Sequence, residues 1–99
     1  MHQEINSTVL TESAEMLKAI AHPARLNILA IIGKDRLSVT EIIDHLEIEQ
    51  SLVSHHLRNM KSRGVLNVVK EGKNCFYSLK NLKLLEIVDC VTSCCSKKL

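Results

Sequence analysis

Residues 38–64, SVTEIIDHLEIEQSLVSHHLRNMKSRG, decide the fold of this chain. Ser38, followed three residues later by Glu41, has the spacing of a capping box, which predicts a short helix from Val39 to about Leu46. After a tight turn, a second helix is predicted from Gln50 to Arg63, where a glycine ends it. Two helices joined by so short a turn form a helix-turn-helix.

The second helix of this pair has an apolar face and a polar face. Val53, Leu57 and Met60 recur at helical spacing and are predicted to point into the core, and His56 is predicted to pack there as well. The opposite face is poor in acidic side chains and rich in hydrogen-bonding groups, which suits a DNA major groove. The predicted DNA contacts from this helix are Gln50, Ser51, Ser54, His55, Arg58, Asn59 and Lys61.

Two helices precede this pair. Ser7 or Thr8 can cap a first helix that runs to about Ala21. Pro23 ends that helix and starts the next one well, because proline is tolerated in a first turn. This second helix runs to about Ile32 and is so dense in apolar side chains that we expect it to be largely buried.

A β-hairpin is predicted after the helix-turn-helix, where the hydrophobic pattern changes period. Val65 to Lys70 and Cys75 to Leu79 are rich in β-branched and aromatic residues, which favours strands. Gly72 lies between them and can form the hairpin turn. This hairpin is the wing, and Lys70 and Lys73 at its tip are predicted to contact DNA phosphates.

A last helix is predicted from a cap at Asn81 to about Cys95. Its side chains Leu84, Val88, Val91 and Cys95 fall at spacings of 4, 3 and 4 residues, a stripe suited to a partner helix. We therefore predict a homodimer that is held together by the first and last helices. The predicted fold is mainly α, with about five helices and a two-stranded wing.

Composition limits the chain to a single domain, residues 1–99. At this length, with 45% hydrophobic residues, it can build one core. Aromatic residues make up 2%, which disfavours an aromatic cofactor pocket or a base-stacking platform. No apolar run approaches the roughly 20 residues of a membrane span, and the first residues lack the pattern of a secretory signal. We expect a cytoplasmic protein with no membrane partner.

Basic side chains gather in the second half of the chain. The formal net charge is +2, from 13 Lys and Arg against 11 Asp and Glu. Between Ser54 and Lys73, however, five basic residues stand against one acid, Glu71. This local positive field favours duplex DNA as the partner. The five basic residues are Arg58, Lys61, Arg63, Lys70 and Lys73.

Three of the four cysteines, Cys90, Cys94 and Cys95, lie in the last ten residues. In a cytosolic protein we expect them to be thiols rather than disulfides. Three thiolates suit arsenite or, with a fourth ligand, Cd²⁺ or Zn²⁺. Oxidation or persulfide sensing by the same thiols is a variant of this prediction. The alternative is that they pack as small hydrophobes along the dimer seam, and packing is also the interpretation for Cys75.

The chain resembles the ArsR/SmtB family of metalloregulatory repressors. The stretch LKAIAHPAR at residues 17–25, VSHHL at 53–57 and the following RGVL carry the resemblance, which covers about Leu17 to Leu79. It implies a winged helix that dimerises through its first and last helices. It also implies that the helix matching Gln50 to Arg63 enters the DNA groove and that the hairpin lies near the DNA backbone.

The resemblance implies several positions for an effector site, and none of them has its usual ligands in this sequence. The arsenic-type cysteine pair would fall in the helix from Val39 to Leu46, which reads VTEIIDHL. The zinc-type motif needs histidines in the last helix, and the sequence has none after position 56. The persulfide type needs a cysteine between Pro23 and Ile32, which is also missing. Cys90, Cys94 and Cys95 remain as the predicted metal or effector site.

The sequence therefore predicts a repressor that binds double-stranded operator DNA and leaves it when a thiol-reactive effector binds the terminal cysteines. It predicts no required cofactor, with arsenite, cadmium or zinc as possible effectors. An enzyme is disfavoured, because the sequence has no Gly-rich phosphate loop and no Gly-x-Ser-x-Gly motif. The alternative is a winged-helix regulator or a protein-interaction module without a metal effector, in which the cysteines are structural.

Overall fold

The structure, a computed structural model, describes residues 4–96 of the chain. The predicted domain, residues 1–99, also includes both chain ends, which lie outside the described residues. The predicted winged helix-turn-helix with five helices is confirmed. Its elements in chain order are α1 (Ser7–Ile20), α2 (Pro23–Ile32), β1 (Leu37–Ser38), α3 (Val39–Leu46), α4 (Gln50–Ser62), β2 (Leu66–Glu71), β3 (Asn74–Leu79) and α5 (Lys83–Cys95).

Side-chain hydrogen bonds cap the starts of α1, α2 and α3. At α3, the Ser38 hydroxyl accepts from the backbone N–H of Glu41 at 3.2 Å, and the Glu41 carboxylate accepts from the N–H of Ser38 at 2.8 Å. The predicted capping box is therefore confirmed. The prediction of Ser7 or Thr8 as the cap of α1 was wrong by one or two residues. Asn6 is the cap, because its Oδ1 accepts from the N–H of Thr8 at 2.7 Å.

The wing belongs to a three-stranded antiparallel sheet with the strand order β1-β3-β2. β1 was not predicted, because two residues are too few to show strand alternation. Leu37 lies opposite Tyr77, and Ser38 lies opposite Phe76. This short strand joins the wing to the start of α3, since Ser38 is also the cap of that helix.

The hairpin of β2 and β3 is formed as predicted, with strand bounds that differ by one residue. Its register runs from Leu66 opposite Leu79 to Glu71 opposite Asn74. Gly72 and the residue after it make the turn, and Gly72 has a φ of 63°, a left-handed conformation that favours glycine. The tip of the wing is therefore a tight two-residue connection.

One hydrophobic core holds these elements together. Val53, Leu57 and Met60 of α4 are each at most 1% exposed, so the predicted inner face of this helix is confirmed. The helix thus presents its other face to solvent. The core consists of Ala19, Ile20, Ile28, Leu29, Ile32, Ile42, Val53, Leu57, Met60, Val65, Leu66, Tyr77, Leu79, Leu84 and Val88.

A polar network centred on Arg25 ties α4 to α1 and α2. The Arg25 Nε donates to Nδ1 of His56 at 2.8 Å. Its Nη1 donates to the backbone oxygen of Ala19 at 3.0 Å and to Oδ1 of Asn59 at 2.6 Å. Hydrogen bonds from a charged donor are stronger than neutral ones, so a single guanidinium fixes the middle of α4 against the end of α1.

His56 is buried, as predicted, and is held in its neutral form. Its side chain is 4% exposed, and because Nδ1 accepts from Arg25, Nε2 must carry the ring proton. Burial lowers the pKa of His56, and the nearby Arg25, His22 and His55 lower it further. The His22 ring centroid lies 4.5 Å from that of His56. A proton on this ring would therefore weaken the network.

We predict that the free energy of unfolding falls as the pH drops below about 6.5, the ordinary histidine pKa, because the unfolded chain then binds a proton that folded His56 resists. In His56→Asn the fall is smaller, since asparagine offers an acceptor to Arg25 but does not titrate. Urea unfolding between about pH 8 and pH 5 measures this, with the exposed His45→Asn as the control. Equal falls in the wild type and His56→Asn would contradict the account.

Candidate nucleic-acid interface

The outer face of α4 is an open polar surface. The Arg58 side chain is exposed, and its guanidinium makes no hydrogen bond or ion pair with any residue from 4 to 96. The Ser51 hydroxyl donates to the carboxylate of Glu49, which lies at the N-cap of the helix. The Arg58 guanidinium is therefore available to an external partner, whereas the Ser51 hydroxyl is engaged by Glu49. Gln50, Ser51, Ser54 and Arg58 line one open depression of about 420 Å³.

The tip of the wing lies beside the start of α4. Lys70 and Lys73 are exposed, as predicted for residues that contact phosphate. Lys73 and Gln50 line the same cleft, about 350 Å³ in volume, between the wing and the starts of α3 and α4. The structure thus brings the wing tip and the first turn of α4 onto one surface, although 22 residues of sequence separate them.

The other predicted contacts on α4 take different positions. His55 and Lys61 are exposed, with Lys61 in the last turn of the helix. Asn59 is half-buried, and its side-chain oxygen accepts the hydrogen bond from Arg25. Asn59 therefore faces α2 and takes part in the network that anchors the helix.

Leu52 is a candidate that sequence reasoning missed. It lies in the first turn of α4 and is 47% exposed, away from the buried face of the helix. The N-terminal residues of a recognition helix contact base edges, and an apolar side chain there can contact the methyl group of thymine. The sequence could have indicated its exposure, because its position on the helix lies outside the apolar stripe formed by Val53, Leu57 and Met60.

An ion pair beside the wing was also missed. Nη1 and Nη2 of Arg36 donate to the two carboxylate oxygens of Glu71 at 2.8 and 2.9 Å. The Arg36 guanidinium also lies 4.3 Å from the centroid of the Phe76 ring. These hydrogen bonds lower the pKa of Glu71, so the carboxylate stays ionised. Sequence offered no signal, because the two partners are 35 residues apart.

The terminal cysteines lie on the part of α5 that leaves the core. Leu84 and Val88 are buried, but every described side chain from 89 to 96 is exposed. Cys90, Cys94 and Cys95 are free and exposed. Among residues 4–96, no three His, Cys, Asp or Glu side chains lie close enough together to hold a metal ion. Within one chain, these cysteines therefore do not fit a metal site.

Cys75 has a different environment. It is half-buried and packs against the hydrophobic core, in agreement with its predicted packing role. It also lines the cleft that Gln50 and Lys73 share. Its thiol thus lies between the wing and the helix-turn-helix, apart from the terminal cysteines on α5.

Comparison with known proteins identifies the family. Residues 22–68 match the family described as bacterial regulatory protein, arsR family. The chain is 41% identical over 80 residues to the transcriptional repressor PagR of Bacillus anthracis, and the alignment covers 80% of each protein. The chain belongs to the arsR family. The crystal structure of PagR matches this arsR-family chain with a TM-score of 0.79 and 38% identity, over 87% of this chain and 99% of PagR.

Other relatives of this arsR-family chain are also transcriptional regulators rather than enzymes. It is 34% identical over 80 residues to the repressor SmtB of Mycobacterium tuberculosis, covering 81% of this chain and 59% of SmtB. The structure of HlyU from Vibrio cholerae, a transcriptional activator, matches with a TM-score of 0.79 and 32% identity over 95% of this chain and 100% of HlyU. The chain is therefore a DNA-binding transcriptional regulator. No helix within residues 4–96 is long and apolar enough to cross a membrane.

Proposed function

We propose that this arsR-family chain is a cytoplasmic repressor that binds duplex operator DNA as a homodimer. The observation that carries the proposal is the surface shared by the outer face of α4 and the wing tip, where Gln50 lines both depressions. The names of PagR and SmtB support repression rather than activation. Repression then follows from occupying DNA that the transcription machinery needs.

The two parts of this surface have different tasks. Arg58 has an exposed guanidinium that can donate two parallel hydrogen bonds to O6 and N7 of guanine, and Ser54 can bond to several base edges. The wing lysines, Lys70 and Lys73, can neutralise phosphates but carry no sequence information. We therefore assign sequence reading to α4 and most of the sequence-independent affinity to the wing.

Dimerisation is supported by apolar side chains that the single chain leaves uncovered. Leu10 and Leu17 on α1 are about half exposed, at 52% and 51%, and lie seven residues apart on one face. Val91 on α5 is 48% exposed. Burying such surface is favourable by about 25 cal/mol per Å². A second copy can cover both helices, and two-fold symmetry then presents two recognition helices to one duplex.

We predict that Arg58→Ala weakens binding to the operator about five- to 150-fold, or about 1–3 kcal/mol, with little effect on random DNA. Lys73→Ala weakens binding to both DNAs about equally and reduces the slope of log K against log salt by about 1, because one phosphate contact is lost. Fluorescence anisotropy with the chain's own upstream region measures both effects. Lys83→Ala removes an exposed lysine at the start of α5 and is the control.

Two results would contradict this assignment. If Arg58→Ala and Lys73→Ala behaved alike on both DNAs, the division of tasks between α4 and the wing would be wrong. If the wild type bound neither DNA at low salt, the chain would be better described as a protein-interaction module.

We further propose that a thiol-reactive effector at Cys90, Cys94 and Cys95 releases the DNA. The exposure of all three thiols supports this, because an oxidant or persulfide needs access to the sulfur. Their position on α5 supports it too, since a change in the packing of the dimer seam would alter the spacing of the two recognition helices. Two half-sites lie about 34 Å apart, so a small change misaligns one helix with its groove.

We predict that the wild-type DNA complex dissociates with at least one of four agents: a persulfide donor, which needs access to a thiol only, or arsenite, Cd²⁺ or Zn²⁺, for which the second copy would have to bring its own terminal cysteines close. Coupling of this kind typically changes DNA affinity about five- to 150-fold. The triple variant Cys90→Ser, Cys94→Ser, Cys95→Ser should bind DNA normally and ignore the agent, whereas Cys75→Ser, the control, should still respond. If the triple variant still responded, the effector would have to bind elsewhere on the chain. A wild type that ignores all four agents would favour structural cysteines.

A further inference from the structure

Arg36, Glu71 and Phe76 form a compact group on the outer face of the sheet, which we call the wing clasp. Both carboxylate oxygens of Glu71 are engaged by the guanidinium, at 2.8 and 2.9 Å, and the guanidinium lies over the Phe76 ring. The two charged side chains are 48% and 52% exposed. A fork-to-fork pair of this kind fixes orientation as well as distance. The clasp therefore holds two distant segments in one relative position.

The clasp joins the tip of the wing to the body of the domain. Glu71 is the last residue of β2, directly before the turn, and Arg36 directly precedes β1. The backbone pairing of β1 with β3 reaches Phe76 and ends there. Among the described residues, Asn74 and Cys75 pair with β2 alone. The Arg36 side chain thus reaches Glu71, which pairs with Asn74, and so contacts the hairpin beyond the last residue of β3 that pairs with β1.

The clasp also changes the charge of the tip. Glu71 lies between Lys70 and Lys73 in sequence, so it adds a negative charge to the tip of the wing that we assign to phosphates. An unpaired carboxylate there would repel DNA. The bidentate hydrogen bonds from Arg36 offset the charge of the Glu71 carboxylate and hold it on the outer face of the sheet. Lys70, the preceding residue of the strand, points to the other face.

We propose that Arg36 is a positioning residue for DNA binding, which acts through Glu71 by holding the wing tip where Lys70 and Lys73 meet the phosphates. This proposal rests on the function proposed above, in which the wing contacts DNA. Exposed ion pairs contribute little to folding, so loss of the clasp should affect DNA binding far more than thermal stability. It should also change the salt dependence of binding, which a purely structural role would leave unchanged.

The variant Glu71→Gln separates positioning from simple electrostatics. Removing a negative charge near DNA should strengthen binding if the carboxylate acts through its charge alone. The clasp predicts the opposite, a loss of DNA affinity of about threefold to tenfold, at the low end of the coupling expected between two residues in direct contact such as Arg36 and Glu71. Glu86→Gln removes the same charge from an exposed residue of α5 and is the matched control.

The experiment measures DNA affinity over a range of salt for the wild type, Arg36→Gln, Glu71→Gln, the double variant, and the swap Arg36→Glu with Glu71→Arg. We expect the two single losses to be similar and the double variant to be no worse than either. We also expect the swap to regain most of the affinity and the salt slope to fall by up to about 2 in the single variants. Melting temperatures should stay within a few degrees.

Tighter binding by Glu71→Gln, additive losses, or unchanged affinity would each overturn the proposal. A second arm needs no DNA: amide relaxation by NMR should show increased motion at Gly72 and Lys73 in the free Glu71→Gln protein, and an unchanged tip would overturn it equally. A wild type that fails to bind DNA would instead contradict the proposed function, and this second arm would still decide whether the clasp holds the tip.

Discussion

The bonds of the Arg25 guanidinium are the constraint on which the rest of the structure depends. One side chain of α2 reaches His56 and Asn59 on α4 and the backbone of Ala19 at the end of α1. The apolar face of α4 fixes which side of that helix is buried, but apolar packing alone allows a helix to slide or rotate slightly. Directed hydrogen bonds from a planar donor limit both movements. The outer face of α4 is therefore presented at a defined angle.

A second constraint brings the wing to that face. The short strand β1 connects the cap of α3 to β3, so the hairpin and the helix-turn-helix share one structural support. The cleft lined by Gln50 and Lys73 is the result. The outer face of α4 and the wing tip must contact the same duplex at the same time, because the spacing between a groove and the adjacent phosphates is fixed. In the proposed dimer, α1 and α5 contact a second copy and place its DNA-binding surface symmetrically to the first.

Sequence reasoning predicted the elements that depend on local patterns. The capping box at Ser38 and Glu41, the helical stripe of Val53, Leu57 and Met60, and the glycine turn of the wing each involve residues near one another in sequence. It missed the features that depend on distant segments. These are the two-residue strand β1, the ion pair of Arg36 with Glu71, and the orientation of the Asn59 side chain toward Arg25. For α5, helical spacing placed three cysteines near one another, yet periodicity carries no information on whether their sulfurs converge.

The central claim is that two copies of one surface, made of α4 and the wing tip, bind a single operator. Hydroxyl-radical footprinting of the wild-type protein on its upstream DNA tests this most directly, because it maps backbone protection at single-nucleotide resolution. Two protected blocks are expected on one face of the duplex, with centres about 34 Å, or one helical turn, apart. A single block, or two blocks on opposite faces of the duplex, would contradict this claim.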